Sequence, residues 1–413
     1  MNNLTDINGI LNSLNSFAVF KNIFNDEIIA KFMMFLDSVK SGAEFSENIE
    51  SYSEFVSQLY SSEFTGDWSS YVRNFVLTDE NVVSVNCARN SSDKIPDFIM
   101  GAFEYELRIL SDVASVSYED VREILKTRFP SNTDAINSLP VFDSYKLLFT
   151  KDQIQTNYKT EGYGIISRHY AFKYDKDLTV KPVLYPDNIR FSDLKSYEYQ
   201  KEILITNTLS FIKGRPANNI LLYGDRGCGK SSSIKALVNE YHQLGLKVIQ
   251  AYKENLDTLE DLEEYLSGFP SKFIIFIDDL VFDENDPDFA SAKAILEGSL
   301  SKHPDNVLIY ATTNRRHLVK ETFSSREGNE IHLNDTMDEA ASLSDRFGIT
   351  ITFSSPDKNK YLEIVKQIAA EMNINEDEKK LFKEAEAFAI LKGTRCPRVA
   401  RQFLADYASR ILS

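Results

Sequence analysis

Apolar positions fall into two textures along the 413-residue chain. Over residues 1 to about 150 they recur at the three- and four-residue spacing that gathers side chains on one helix face. Ile28, Ile29, Phe32, Phe35, Leu36 and Val39 share such a face, which predicts a helix over 26–39 with Asn25 as its N-cap. Phe103, Leu107 and Leu110 predict another over 96–110. The stretch from Ser117 to Asp120 resembles a capping box for a helix over 121–129, and Pro130 stops it. The whole region reads as a mostly α-helical N-terminal domain, a recognition or assembly module packed by Phe and Tyr. No His, Cys or carboxylate constellation in it suggests chemistry.

The texture then changes. Short strands are expected at 163–166, 170–174 and 178–184, with turns at Gly162, Gly164, 175–177 and Pro186, so 151–190 reads as a strand-rich connector. A helix over about 192–211 follows. Short apolar runs at 220–223, 247–252, 273–277, 306–310 and 349–353 are separated by helical patterns at 231–241, 256–266 and 291–300. Strands that alternate with helices imply a parallel sheet with right-handed crossovers. Helical spacing resumes over 358–371, 377–391 and 397–412, a compact three-helix unit. The expected organisation is a helical domain over 1–150, the connector over 151–190, an α/β core over 191–355 and a helical lid over 356–413.

The core carries the chemistry. Gly224, Asp225, Arg226, Gly227, Cys228, Gly229, Lys230 and Ser231 spell G-x-x-x-x-G-K-S between a predicted strand and a predicted helix. That context identifies a phosphate-binding loop. Backbone N–H groups and a helix N-terminus converge where anionic phosphate is favoured. Lys230 would reach the β- and γ-phosphates, Ser231 would hold magnesium, and Ser232 completes the phosphate-binding stretch. Cys228 fills a loop position rather than reacting.

Asp278 ends the apolar run 273–277, where a carboxylate faces the ligand crevice of an open α/β sheet, and it would hold magnesium. Asp279 follows and would orient the attacking water, with Asp283 and Glu284 as reserves. Asn314, at the tip of the next strand, would sense the γ-phosphate, with Thr313 second. Arg346, in Ser344-Asp-Arg-Phe-Gly, could stabilise phosphoryl charge from a neighbouring subunit, with Arg326 as competitor. Arg398 follows Pro397 at the start of the last helix and could point back to the nucleotide; Arg395 and Arg401 are weaker candidates. The bland alternatives are a turn-forming Asn, a capping Asp and solvated arginines.

The residues 224–231, 273–279, 312–314, Arg346 and Arg398 occur in the order of an AAA+ P-loop ATPase, with Walker A, Walker B, sensor 1, arginine finger and sensor 2. The longer strings at 216–227, 276–280, 308–319 and 342–348 resemble a family of bacterial AAA+ proteins with an uncharacterised N-terminal region. The resemblance covers about Ser192 to the C-terminus. It implies ATP and magnesium as cofactors, a P-loop NTPase core with a helical lid, and a homo-oligomeric ring or filament; it supplies no client, and an unknown protein client is expected. Two departures matter. Asp279 stands where many members carry Glu, which bears on hydrolysis rate more than on binding. No aromatic-Gly pore loop follows 247–252, which argues against a threading unfoldase. The expected function is an ATP-hydrolysing motor or switch; the alternative is an ATP-gated assembly or loader module with little turnover.

Composition narrows this further. A net charge of −16 disfavours general nucleic-acid binding, because phosphate backbones repel such a surface. The apolar run at 273–277 is far too short to span a bilayer, so no membrane association is expected. No basic stretch followed by an apolar one opens the chain, which indicates no signal peptide. Cys87, Cys228 and Cys396 lack paired spacing and suggest a reducing, cytoplasmic setting without disulfides.

Overall fold

The computed structural model describes residues 7–175, 177, 179–282, 303–314 and 347–411. They divide into two compact units, one running to Arg168 and taking in Gly268–Pro270, the other comprising the rest.

The first unit is helical. Its helices are α1 (Ile7–Asn15), α2 (Glu27–Ser41), α3 (Phe45–Ser61), α4 (Trp68–Thr78) and α5 (Val82–Ala88), then α6 (Asp97–Ala114), α7 (Tyr118–Arg128), α8 (Thr133–Asn137), α9 (Lys151–Glu161) and α10 (Gly164–Arg168). The six apolar positions predicted to share a face of α2 are all buried. Asp26, not Asn25, caps that helix, its carboxylate accepting from Ile29 N at 2.9 Å. A carboxylate satisfies a free first-turn N–H and also suits the positive end of the helix dipole. The capping box at Ser117 and Asp120 is present. Trp68 anchors the core, with ring centroids 4.7 Å from Phe32 and 5.1 Å from Phe55. Its indole N–H donates to Val113 O at 2.8 Å, which satisfies the polar tip of a fully buried ring. The strand expected at 163–166 is instead α10. Gly162, at φ 80°, ends α9, and the chain re-enters a helical turn in which Ile166 is buried.

Among the described residues, the second unit is built on a seven-stranded sheet. Its strands are β1 (Ala171–Tyr174), β2 (Val180–Pro182), β3 (Ile220–Gly224), β4 (Leu246–Ala251), β5 (Lys272–Ile277), β6 (Val307–Thr313) and β7 (Ile349–Phe353). Their spatial order is β2-β1-β4-β5-β6-β3-β7. Every pair is parallel except β1 with β2. Helices α11 (Glu198–Ile212), α12 (Lys230–Tyr241) and α13 (Leu259–Ser267) lie between strands in the chain. The apolar run of β5 is buried from Phe273 to Ile277, as a central strand covered on both faces requires. This is the expected fold class, an α/β parallel sheet flanked by helices, followed by a three-helix unit. The strands of the expected connector extend the edge of the sheet, where β1 pairs with β4.

The three closing helices are α14 (Lys358–Glu371), α15 (Glu378–Lys392) and α16 (Pro397–Ile411). Tyr361, Ile364, Val399, Phe403 and Tyr407 join Ile220, Leu222 and Ile351 of the sheet in one apolar cluster. The lid therefore shares the core of the sheet that carries the phosphate loop. Among the described residues, no helix is long and apolar enough to cross a membrane.

Candidate nucleotide-binding site

Register brings the predicted residues to one end of the sheet. Leu222 of β3 pairs with Thr312 of β6, Ile277 of β5 pairs with Ala311, and Gly224 pairs with Phe353 of β7. The chain therefore leaves β3, β5 and β6 side by side at their C-terminal ends, where ligands bind in open α/β sheets. Between them and the lid lies a cavity of ≈ 730 Å³.

Gly224 ends β3 with φ 137°, and a Cβ there would stand 2.1 Å from Phe353 O. Only glycine lets the loop leave the sheet so close to β7. Gly227 has φ 80°, and a Cβ would lie 2.7 Å from Cys396 Sγ and 3.1 Å from Arg398 Cβ. The phosphate loop is thus packed directly on the start of α16. Asp225 ties it to the chain between sheet and lid: its N–H donates to Phe353 O at 2.9 Å, and its carboxylate accepts from Ser355 N at 2.7 Å. The contact with Ser355 holds the Asp225 carboxyl below its ordinary range.

Lys230 opens α12 and is 7% exposed. Its ammonium donates to Gly224 O at 2.7 Å, Asp225 O at 3.0 Å and Asn314 Oδ1 at 2.9 Å. Burial lowers its pKa, while the nearby Cys228 thiol and the carboxylates of Asp279, Asp225 and Asp278 oppose that shift. Ser231 Oγ donates to Asp278 Oδ1 at 2.6 Å. Asn314 Nδ2 donates to Asp279 Oδ1 at 2.6 Å, so Asn314 bridges the lysine and the second acid. Arg226, Ser232, Asp278, Asp279, Asn314 and Arg398 all line the cavity. Arg398 is exposed, and its guanidinium has no carboxylate partner among the described residues. Cys228 is 1% exposed, and burial raises its thiol pKa, which suits a packing role rather than a reactive thiolate. Arg346, Arg326, Asp283 and Glu284 lie outside the described residues.

Sequence reading missed three contributions. Thr312, rather than Thr313, reaches the acids. Its Oγ1 donates to Asp278 Oδ1 at 2.5 Å and accepts from Asp279 N at 2.9 Å. Side chains alternate along β6, so Thr312 and Asn314 share a face while Thr313 points to the other and is buried. The segment carrying Ile189, Leu194 and Tyr197 forms a further wall of the cavity. It is held by Asn239 Nδ2, which donates to Asp187 O at 2.6 Å and Ile189 O at 2.8 Å. Gln402 of α16 lines the lid side. The strong helical start at Pro397 marked α16 in the sequence, but nothing local marks Ile189 or Leu194.

The donor set fits magnesium and a phosphate chain. Ser231 and Asp278 offer a hydroxyl and a carboxylate within hydrogen-bond distance, hard oxygen ligands that suit this ion. Among the described residues, no group of three His, Cys, Asp or Glu side chains could hold a metal ion alone. Magnesium here would lean on phosphate oxygens and water, its usual habit.

A family described as protein of unknown function (DUF815) matches residues 167–411, more than half of the chain. Over 75 residues the chain is 32% identical to the replication factor C large subunit of Staphylothermus marinus, a match that spans 18% of this chain and 17% of that protein. The chain therefore covers only a small part of that relative's length. The Holliday junction branch migration motor RuvB of Thermotoga maritima superposes with a TM-score of 0.31 and 14% identity, over 52% of this chain and 71% of its own. A variant of the same motor gives a TM-score of 0.32. Superposition at this level adds nothing to the strand order and site geometry above.

Proposed function

The chain belongs to that family of unknown function, and we propose that it binds and hydrolyses magnesium-ATP as an AAA+ ATPase, using the cycle to move a partner or its own helical region. One observation carries this reading. Lys230, Ser231, Asp278, Asp279 and Asn314 follow three separate strands and, joined through Thr312, form a single hydrogen-bonded set lining one cavity.

Each side chain has a task in this reading. Lys230 exchanges its carbonyl and Asn314 acceptors for β- and γ-phosphate oxygens. Gly227, Cys228 and Gly229 offer backbone N–H groups at the N-terminus of α12. Ser231 and Asp278 hold the magnesium ion, which when bound neutralises phosphate charge. Asp279, released by Asn314, orients the attacking water, and Asn314 turns to the γ-phosphate. Arg398 reports ATP from the lid of the same chain. Arg346, with Arg326 as competitor, acts from the next subunit, which makes the working form an oligomer. The client is a protein, in keeping with the acidic surface.

A second reading is an ATP-gated assembly module with little turnover. The observation that favours it is the tether of Asp279, which is one methylene shorter than Glu and bonded to Asn314. Phosphate release at saturating magnesium-ATP separates the two. Sustained turnover by the wild type that Lys230→Ala abolishes and Asp279→Asn strongly slows supports the ATPase. Nucleotide binding without release supports the assembly module. Unchanged turnover in Asp279→Asn would remove that residue from its role.

A further inference from the structure

We propose that Thr312 is a positioning residue that aims both acidic side chains of the site, and that its hydroxyl sets how strongly magnesium is linked to nucleotide binding. The proposal rests on the nucleotide reading above.

Asp278 and Asp279 are consecutive, and in extended chain consecutive side chains point to opposite faces. Here both line the same cavity. The alternation is broken at Asp279, whose φ of 55° lies in the left-handed region. That region is sparsely populated by non-glycine residues and persists only where surrounding contacts enforce it. The contacts that enforce it converge on Thr312. Its hydroxyl accepts from Asp279 N at 2.9 Å, and its carbonyl accepts from Leu280 N at 2.7 Å.

The same hydroxyl donates to Asp278 Oδ1 at 2.5 Å, alongside Ser231 Oγ at 2.6 Å. Two donors on one oxygen fix the carboxylate rotamer and leave Oδ2 for a cation and its waters. Thr312 is 2% exposed, so no water replaces its hydroxyl cheaply. It touches neither the phosphates nor the ion in this account; it works through the two acids. Valine at this position would keep the shape and the carbonyl contact to Leu280. It would leave Asp279 N without its partner and Asp278 with one donor fewer.

The test is titration of a fluorescent ADP analogue into the full chain, with excess magnesium and with EDTA. The wild type gains affinity from magnesium. Thr312→Val loses about tenfold of that gain, the usual scale for outer-shell partners of metal ligands, while its affinity in EDTA stays within about twofold of wild type. Thr312→Ser, which keeps the hydroxyl, restores the gain. A Thr312→Val protein with the full magnesium gain overturns the proposal, as does one weakened equally in magnesium and in EDTA, which marks a merely structural residue. If the wild type binds no nucleotide under either condition, the nucleotide reading falls and this inference with it; if it binds with no gain from magnesium, this inference falls alone. A normal wild type beside an unaffected variant removes this inference alone.

Discussion

Both units of the molecule bury charged side chains, and they use them in opposite ways. In the helical unit Glu106 is 2% exposed, a burial deeper than that of Lys230 in the other unit. Its two oxygens are consumed by backbone: Ala18 N at 2.8 Å, Val19 N at 3.1 Å and Phe20 N at 2.8 Å. Asp79 is 5% exposed, accepts from Asn81 Nδ2 at 2.7 Å and Asn22 Nδ2 at 3.1 Å, and has its pKa raised by burial. These carboxylates fasten one segment to another, and nothing is left for a ligand. In the sheet unit the buried Lys230 is bonded to Asn314, and it faces a cavity of ≈ 730 Å³ that the exposed Asp278 and Asp279 also line. A buried charge is therefore a poor marker of function by itself. The informative feature is whether its partners close it off or hold it open toward space a ligand can fill.

Crossed substitutions sharpen that difference. Lys230→Ala should weaken ATP binding by roughly a hundredfold or more, since it removes an ammonium that makes several charge-assisted contacts. Hydrogen exchange at Ala18, Val19 and Phe20 should not change. Glu106→Ala should do the reverse. It strands buried N–H groups and should destabilise the helical unit by about 3 kcal/mol, read by exchange at the same amides or by urea unfolding. ATP affinity should hold at its wild-type value. If either variant produces both effects, the separation of fastening charges from binding charges fails.

The smallest effect concerns the lid. The Tyr407 hydroxyl, at 2.8 Å, with Lys380 and Asp377 N, holds the Glu376 carboxyl down at about 2. A depressed carboxylate contributes stability that is complete above its unfolded value of 4.5 and is lost as pH falls toward 2. Melting temperature should therefore decline through that acid window in the wild type and decline less steeply in Tyr407→Phe. Equal slopes would show that this cluster adds nothing to the lid.

How much of this was legible in the sequence depended on how local each feature is. The strand, loop and helix from Ile220 to Tyr241 were legible, because they are contiguous in the chain. The places of Asp278 and Asn314 at strand ends were legible because each follows a stretch that reads as a strand, Asp278 directly after 273–277 and Asn314 just past 306–310. Thr312 was passed over in favour of Thr313, since choosing between adjacent threonines requires knowing which face of β6 meets the acids. The wall at Ile189 and Leu194 depends on Asn239 reaching back some fifty positions to carbonyls, a pairing no spacing rule exposes. The expected connector joins the sheet through the pairing of β1 with β4, which no spacing rule exposes either. In the helical unit the apolar faces were plain, but the bond from Glu106 to Ala18 spans 88 positions and left no local trace. The pattern of charges could not say which would fasten and which would bind.

The most direct test of the central claim, that the residues at the ends of β3, β5 and β6 form one nucleotide site, is calorimetric titration of magnesium-ATP into the full chain. One saturable site per chain in the wild type, lost in Lys230→Ala with melting temperature unchanged, is the predicted result. Absence of binding to the wild type, or equal binding to the variant, would contradict it.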